Sequence, residues 1–134
     1  MPVSEFFNRK NKIAIIGASP NPDKYSYKIY IKLKNSGFSL LLINPNHDSI
    51  EGDKCYPSLE SLPKIPDVVI TFVPPIITEG IVAECKELGI KKVWMQPGSE
   101  SEKAIVFCEE NGIEVIHNAC FVVDGLKERF DSTN

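Results

Sequence analysis

The chain has 134 residues, 43% of them hydrophobic and 25% charged, which fits one domain with a substantial core. A net charge of -3 argues against a nucleic-acid partner, and no apolar stretch is long enough to span a bilayer. The opening Met1-Pro2-Val3-Ser4-Glu5 has the features of neither a secretory nor a transit leader, and Cys55, Cys85, Cys108 and Cys120 contain no C-x-x-C pair. These cysteines therefore read as reduced thiols of a cytoplasmic protein, not as a disulfide framework or a zinc site.

Residues 1–11 are polar with Phe6 and Phe7 embedded, and read as an arm or short helix packed on the domain. The first strand is expected at 12–17. Its apolar run is short, β-branched and bounded by turn residues, as in a strand buried on both sides of a parallel sheet. It meets Gly17-Ala18-Ser19-Pro20-Asn21-Pro22 and then a helical pattern over 25–36, with Ser26, Ile29, Tyr30 and Leu33 on one face. Strand, glycine turn and helix together make an anion site. The glycine lets a ligand approach the backbone, and the helix start offers unpaired N–H groups and a positive dipole end. A Cβ at position 17 is expected to fill ligand space. A nucleotide binder usually shows G-x-G-x-x-G here, and only the first glycine is present, so a plain strand-to-helix turn is the competing explanation.

A second strand is expected at 40–43, ending at Asn44-Pro45. Residues 46–54 read as a polar connection, with Cys55 in an exposed loop, and 58–62 as at most a turn or two of helix. A third strand covers 67–73 and stops at Pro74-Pro75. The next helix runs 76–88 with Ile77, Ile81, Cys85 and Leu88 facing inward. A fourth strand at 92–95 ends at Gln96-Pro97-Gly98. Ser99 and Glu102 have the spacing of a capping box for a helix reaching 111, and 113–116 is the fifth strand. A closing segment and a polar tail, 131–134, follow. The domain proper is expected to span 12–130.

This alternation predicts a single α/β domain: one five-stranded parallel sheet in the order 3-2-1-4-5, with helices on both faces. Ligands of such sheets bind beyond the carboxyl ends of the strands, where this chain concentrates Gly, Pro, Asn and Gln. An NAD-binding domain places Asp or Glu at the end of its second strand, and Asn44 stands there instead, which disfavours NAD(P). Lys24 precedes the first helix and could reach a pyrophosphate, unless it is simply solvated. His47 and His117 lack metal-site spacing. No nucleophile elbow and no pair of carboxylates stands at the strand ends, so the pattern offers a ligand site without a catalytic base.

Gly17-Ala18-Ser19-Pro20-Asn21-Pro22, Lys24, Ser26, Asn44-Pro45, Tyr56-Pro57-Ser58-Leu59, Val93-Trp94-Met95-Gln96-Pro97-Gly98 and Cys120 together resemble the small stand-alone CoA-binding proteins. These are similar to the CoA-binding domain of the succinyl-CoA synthetase α-subunit. The resemblance covers about 12–124 and implies a Rossmann-like domain with coenzyme A across the strand ends. It implies Gly17, Ala18 and Ser19 at the pyrophosphate, with Lys24 and Ser26 beside it. Asn44 and Pro45 would then border the adenosine, and Val73, Pro74, Gln96, Pro97 and Gly98 the rest of the groove. Two positions depart from the family pattern. Asn46 stands where many relatives carry a basic residue suited to the 3′-phosphate, and Asn118-Ala119-Cys120 replaces the common Asp-Arg-Cys. The phosphohistidine and grasp domains of the synthetases do not fit in this length, so ligase activity is not implied. Three hypotheses follow: a non-catalytic module for CoA or an acyl-CoA, with no protein partner assigned; an NAD(P)-binding oxidoreductase-type domain; and a thiol-based regulator acting through Cys120.

Overall fold

The computed structural model describes residues 3–121; the tail at 131–134 and most of the closing segment lie outside the described residues. Among the described residues, seven strands form one sheet: β1 (Lys12–Ile16), β2 (Ser39–Ile43), β3 (Ser49–Ile50), β4 (Asp53–Tyr56), β5 (Val68–Thr71), β6 (Lys92–Met95) and β7 (Glu114–Ile116). Three α-helices of the described residues accompany them: α1 (Tyr25–Asn35), α2 (Pro75–Leu88) and α3 (Glu102–Glu110). A 3-10 turn, Val3–Phe7, precedes β1 and buries Phe6 and Phe7. No helix among the described residues is long and apolar enough to cross a membrane.

The sheet order is β3-β4-β2-β1-β5-β6-β7, and every pairing is parallel except that of β3 with β4. The expectation of five strands in the order 3-2-1-4-5, with the strand at 67–73 on the far side of the second, is corrected. That strand, β5, pairs directly with β1 through Ile13↔Val68 to Ile16↔Thr71. The place beside β2 belongs to β4, which pairs it only through Leu42↔Cys55 and Ile43↔Tyr56. Asp53-Lys54-Cys55-Tyr56 has no apolar run, so its strand character comes from its neighbour and not from its own pattern. The local signal was the two-residue loop Glu51-Gly52, both at positive φ, which is how a tight hairpin turn follows the strand twist. Cys55 is accordingly buried in β4, not exposed in a loop.

The side chains of β1 alternate between two cores, as the two-residue strand period demands. Ile13 and Ile15 join Ile29, Tyr30 and Leu33 of α1, together with Trp94 and Phe121. Ala14 and Ile16 join Val82 and Cys85 of α2 and Ala104 and Cys108 of α3. Helices thus cover both faces, and each fully buried Ile or Leu contributes roughly 1.5–3 kcal/mol. Burial pushes the Cys85 thiol up to about 12 and the Cys108 thiol up to about 11, so both serve as small core residues. The inward face of α2 differs from expectation: Thr78, Val82 and Cys85 are buried, whereas Ile77 is 48% exposed. The cap of α3 is Ser101, whose Oγ accepts from the Ala104 amide at 3.2 Å. Ser99, expected in that role, instead bonds Thr71 and the Gln96 carbonyl between the ends of β5 and β6. Residues 58–62 make turns closed by Ser61 and Leu62 amides, without a helix.

The β3–β4 hairpin is anchored to α1 through Tyr30. Its hydroxyl proton is shared between two acceptors, the Asp53 carboxylate and the Ile50 carbonyl at 3.1 Å, while Lys34 pairs with Asp53 at 3.0 Å. The Tyr30 hydrogen bond, outweighing partial burial and helped by Lys34, holds the Asp53 carboxyl below its usual 3.8. Stability from a carboxyl so lowered is complete above the ordinary value and is lost as pH falls through the folded one. Tyr30→Phe should therefore cost about 1–2 kcal/mol at pH 7. In urea titrations the gap to wild type should narrow below about pH 4. A gap that stays constant down to pH 2 would show that the Asp53 bond contributes nothing.

Candidate functional site

The carboxyl ends of β1 and β2 open into a cavity of about 430 Å³. Ile16 and Ile43 lie at its base, followed by the Gly17-Ala18-Ser19 turn and Asn44-Pro45-Asn46. Pro57, Ser58 and Leu59, just after β4, form one wall. Val73 and the α2 residues Ile77, Ile81 and Glu84 form the other. Residues 77, 81 and 84 recur at helical spacing, so one stripe of α2 faces the cavity. This explains why Ile77 is exposed: it belongs to the cavity wall and not to the core beneath.

The turn is held from inside the fold. Gly17 and Ala18 amides both reach the Ile43 carbonyl, at 3.2 and 3.3 Å. The Asn44 side chain donates from Nδ2 to the Ala18 carbonyl at 2.7 Å and accepts from the Asn46 amide at 2.7 Å. Both functions of the Asn44 amide are thus used in clamping the two strand ends together. Beyond the turn, Ser19 Oγ accepts from the Asn21 amide and Asn21 Oδ1 from the Asp23 amide, which shape the loop leading to α1. Lys24 is the N-cap of α1 and makes no side-chain cap bond, and the first turn carries no acidic residue. No side chain of its own therefore caps the amides at the start of α1.

Gly17 has a role that the sequence pattern did not reveal. Its φ is +91°, and a Cβ there would lie 3.0 Å from Val73 Cγ1 and 3.2 Å from the Phe72 carbonyl oxygen. The missing Cβ thus makes room for the chain leaving β5, at the same turn that lines the cavity.

Of the residues singled out in the sequence, Gly17, Ala18, Ser19, Asn44, Pro45 and Val73 line the cavity. Lys24, Ser26, Pro74, Gln96, Pro97, Gly98 and Cys120 do not. Ser26 is buried on the core face of α1, and Pro97 and Gly98 are exposed beyond β6. Gln96 is fully buried; its Oε1 accepts from the Phe121 amide at 2.7 Å and its Nε2 donates to Cys120 Sγ at 3.4 Å. Cys120 is 4% exposed in the α1-side core, and the Tyr25 hydroxyl donates to its sulfur at 2.6 Å. Among the described residues no group of His, Cys, Asp and Glu is arranged to hold a metal ion. Sequence reasoning missed the 57–59 wall as cavity lining and the α2 stripe. Ile77 and Ile81 could have been found from the surplus of apolar residues on a helix whose core face is only three residues wide; Glu84 carried no such signal.

A family model described as a CoA binding domain matches residues 11–125. The α-subunit of ADP-forming acetate–CoA ligase II from Pyrococcus furiosus is 30% identical over 139 aligned positions, covering 96% of this chain but 30% of the ligase subunit. The protein YneT of Bacillus subtilis is 28% identical, with 90% of each chain covered. A solved structure of a conserved hypothetical protein from Pyrococcus furiosus is 46% identical with a TM-score of 0.80, covering 84% of this chain and 97% of that one.

Gly17→Ala should cost roughly 1–3 kcal/mol, from the left-handed backbone and the contacts at Val73 and Phe72. Chemical denaturation measures it. Unchanged stability would mean that the end of β5 shifts freely and that the turn is not the clamp described.

Proposed function

The chain belongs to the CoA binding domain family, and we propose that its cavity and the adjoining Gly17–Lys24 turn bind coenzyme A or an acyl-CoA, without chemistry of their own. The observation that carries this reading is the cavity itself. It sits at the carboxyl ends of β1 and β2, next to a glycine turn and a helix start, within the residues matched by the family model. In this reading the pyrophosphate lies against Ala18, Ser19 and the first turn of α1, with Lys24 supplying a positive charge. The adenosine borders Pro45 and Asn46, and the pantetheine arm passes Val73 and Pro74.

Asn44 supports CoA over NAD(P), since its amide is already committed to Ala18 and Asn46 and carries no charge for a ribose diol. Burial of Cys120 away from the cavity lining gives the thiol-regulator hypothesis no support. Four free cysteines fit a reducing compartment, which in this reading is the cytoplasm, where CoA is also found. The acetate–CoA ligases are longer proteins, of which the matched parts are 12–30%, and their reaction is not carried over.

A thermal-shift panel of CoA, acetyl-CoA, NAD, NADP, ATP and S-adenosylmethionine tests the reading. A ligand at 100 times its Kd adds about 2.7 kcal/mol, which raises Tm by several degrees in a domain of this size. CoA or acetyl-CoA should give the largest rise. Dephospho-CoA should bind nearly as well as CoA, because among the described lining residues no cation is available to a 3′-phosphate. A larger rise with NAD or NADP overturns the proposal. Lys24→Ala should weaken CoA binding by about 1 kcal/mol, as calorimetry would measure; an unaltered Kd returns Lys24 to the solvent.

A further inference from the structure

Among the described residues, Glu84 is the one charged residue in the cavity lining. Among the described residues it enters neither of the two ion pairs and no side-chain hydrogen bond. Its surroundings are unfavourable to charge: burial raises its carboxyl above the usual range, and Glu60 and Glu87 raise it further. An acid with no cation or hydrogen-bond donor beside it, in a mostly apolar cleft, is a group that folding does not need, and such groups concentrate where a ligand uses them.

We infer that Glu84 selects the base of the bound nucleotide, its carboxylate accepting a hydrogen bond from the 6-amino group of an adenine seated between α2 and the 57–59 wall. The inference rests on the CoA reading above and assigns the part of the ligand that enters the cleft. The charged part is excluded from that end, because a phosphate would meet a carboxylate and no cation. The phosphates therefore stay at the Gly17–Lys24 end, and the neutral base lies at the other. Leu59, Ile77 and Ile81 present apolar surface suited to the faces of a planar ring. An ionised carboxylate only accepts hydrogen bonds, so it favours an edge carrying an amine and opposes one carrying a carbonyl. Ile77, Ile81 and Glu84 share one stripe of α2, which brings the ring faces and the ring edge under the control of a single helix.

Calorimetric titration with CoA and with its deaminated, 6-keto analogue tests this on wild type, Glu84→Gln and Glu84→Leu. Ligand-free melts serve as the folding control. Wild type should prefer CoA by about tenfold or more, the scale of a hydrogen bond to a charged group. Glu84→Leu should bind both ligands equally, at the level of the analogue, while its ligand-free Tm stays the same or rises as repulsion from Glu60 and Glu87 is relieved. Glu84→Gln, whose amide oxygen still accepts, should retain part of the preference. Equal binding of the two ligands by wild type, or a preference undiminished in Glu84→Leu, overturns the inference and leaves the CoA reading standing. If wild type binds neither ligand, both fall together.

Discussion

The end of β1 is the constraint on which the site depends. Three features meet there: a strand with no exposed face, a residue at φ +91°, and two amides directed at one carbonyl on β2. Because Gly17 lacks a Cβ, the Phe72–Val73 backbone leaving β5 can pass close against it. Because Asn44 reaches back to Ala18, the loop after β2 cannot drift from the loop after β1. The cavity is the space left when three chain segments are drawn together at one point and then diverge. Its shape follows from the clamp, and its chemistry from whichever side chains line the diverging walls.

The α/β class, the parallel pairing, the central position of β1 and all three helices were legible in the sequence, because each rests on a long apolar run or a clear helical period. The hairpin at 49–56 was not. Its strands are too short and polar to announce themselves, and they are recruited by the free edge of β2. Missing it also displaced β5 in the expected order. The start of α3 was misread for a similar reason. Ser99 and Ser101 are two residues apart and both are good caps on paper; the difference is tertiary, since Ser99 is consumed by Thr71 and Gln96. For the site, the turn residues were legible because glycine and Asn-Pro mark strand ends. The α2 stripe was not, because an isoleucine facing a cleft and one facing a core look the same in a sequence.

The two faces of the sheet have separate duties. On the α1 side, Phe6, Phe7, Trp94 and Phe121 pack edge-to-face around the sheet, and Trp94 Nε1 donates to the Ala119 carbonyl at 2.7 Å. Gln96 and Tyr25 tie Cys120 into the same assembly. This face fastens the two ends of the described chain to β6. The α2 side carries the second core and, at its upper end, the cleft. Gln96 and Cys120, expected at the ligand, thus belong to the fastening, and Ile77, expected on the core face of α2, lines the cleft with Glu84.

The hairpin has a consequence for association. Without it, β2 would present an unpaired strand of five residues, a ready template for another chain. With β4 laid against it and β3 folded back in the opposite direction, the outermost strand on that side is two residues long. On the other side the last strand, β7, has three. Among the described residues, neither margin of the sheet offers enough backbone to recruit an intruding strand, so the aggregation hazard of an open sheet is blunted by the shortness of its borders.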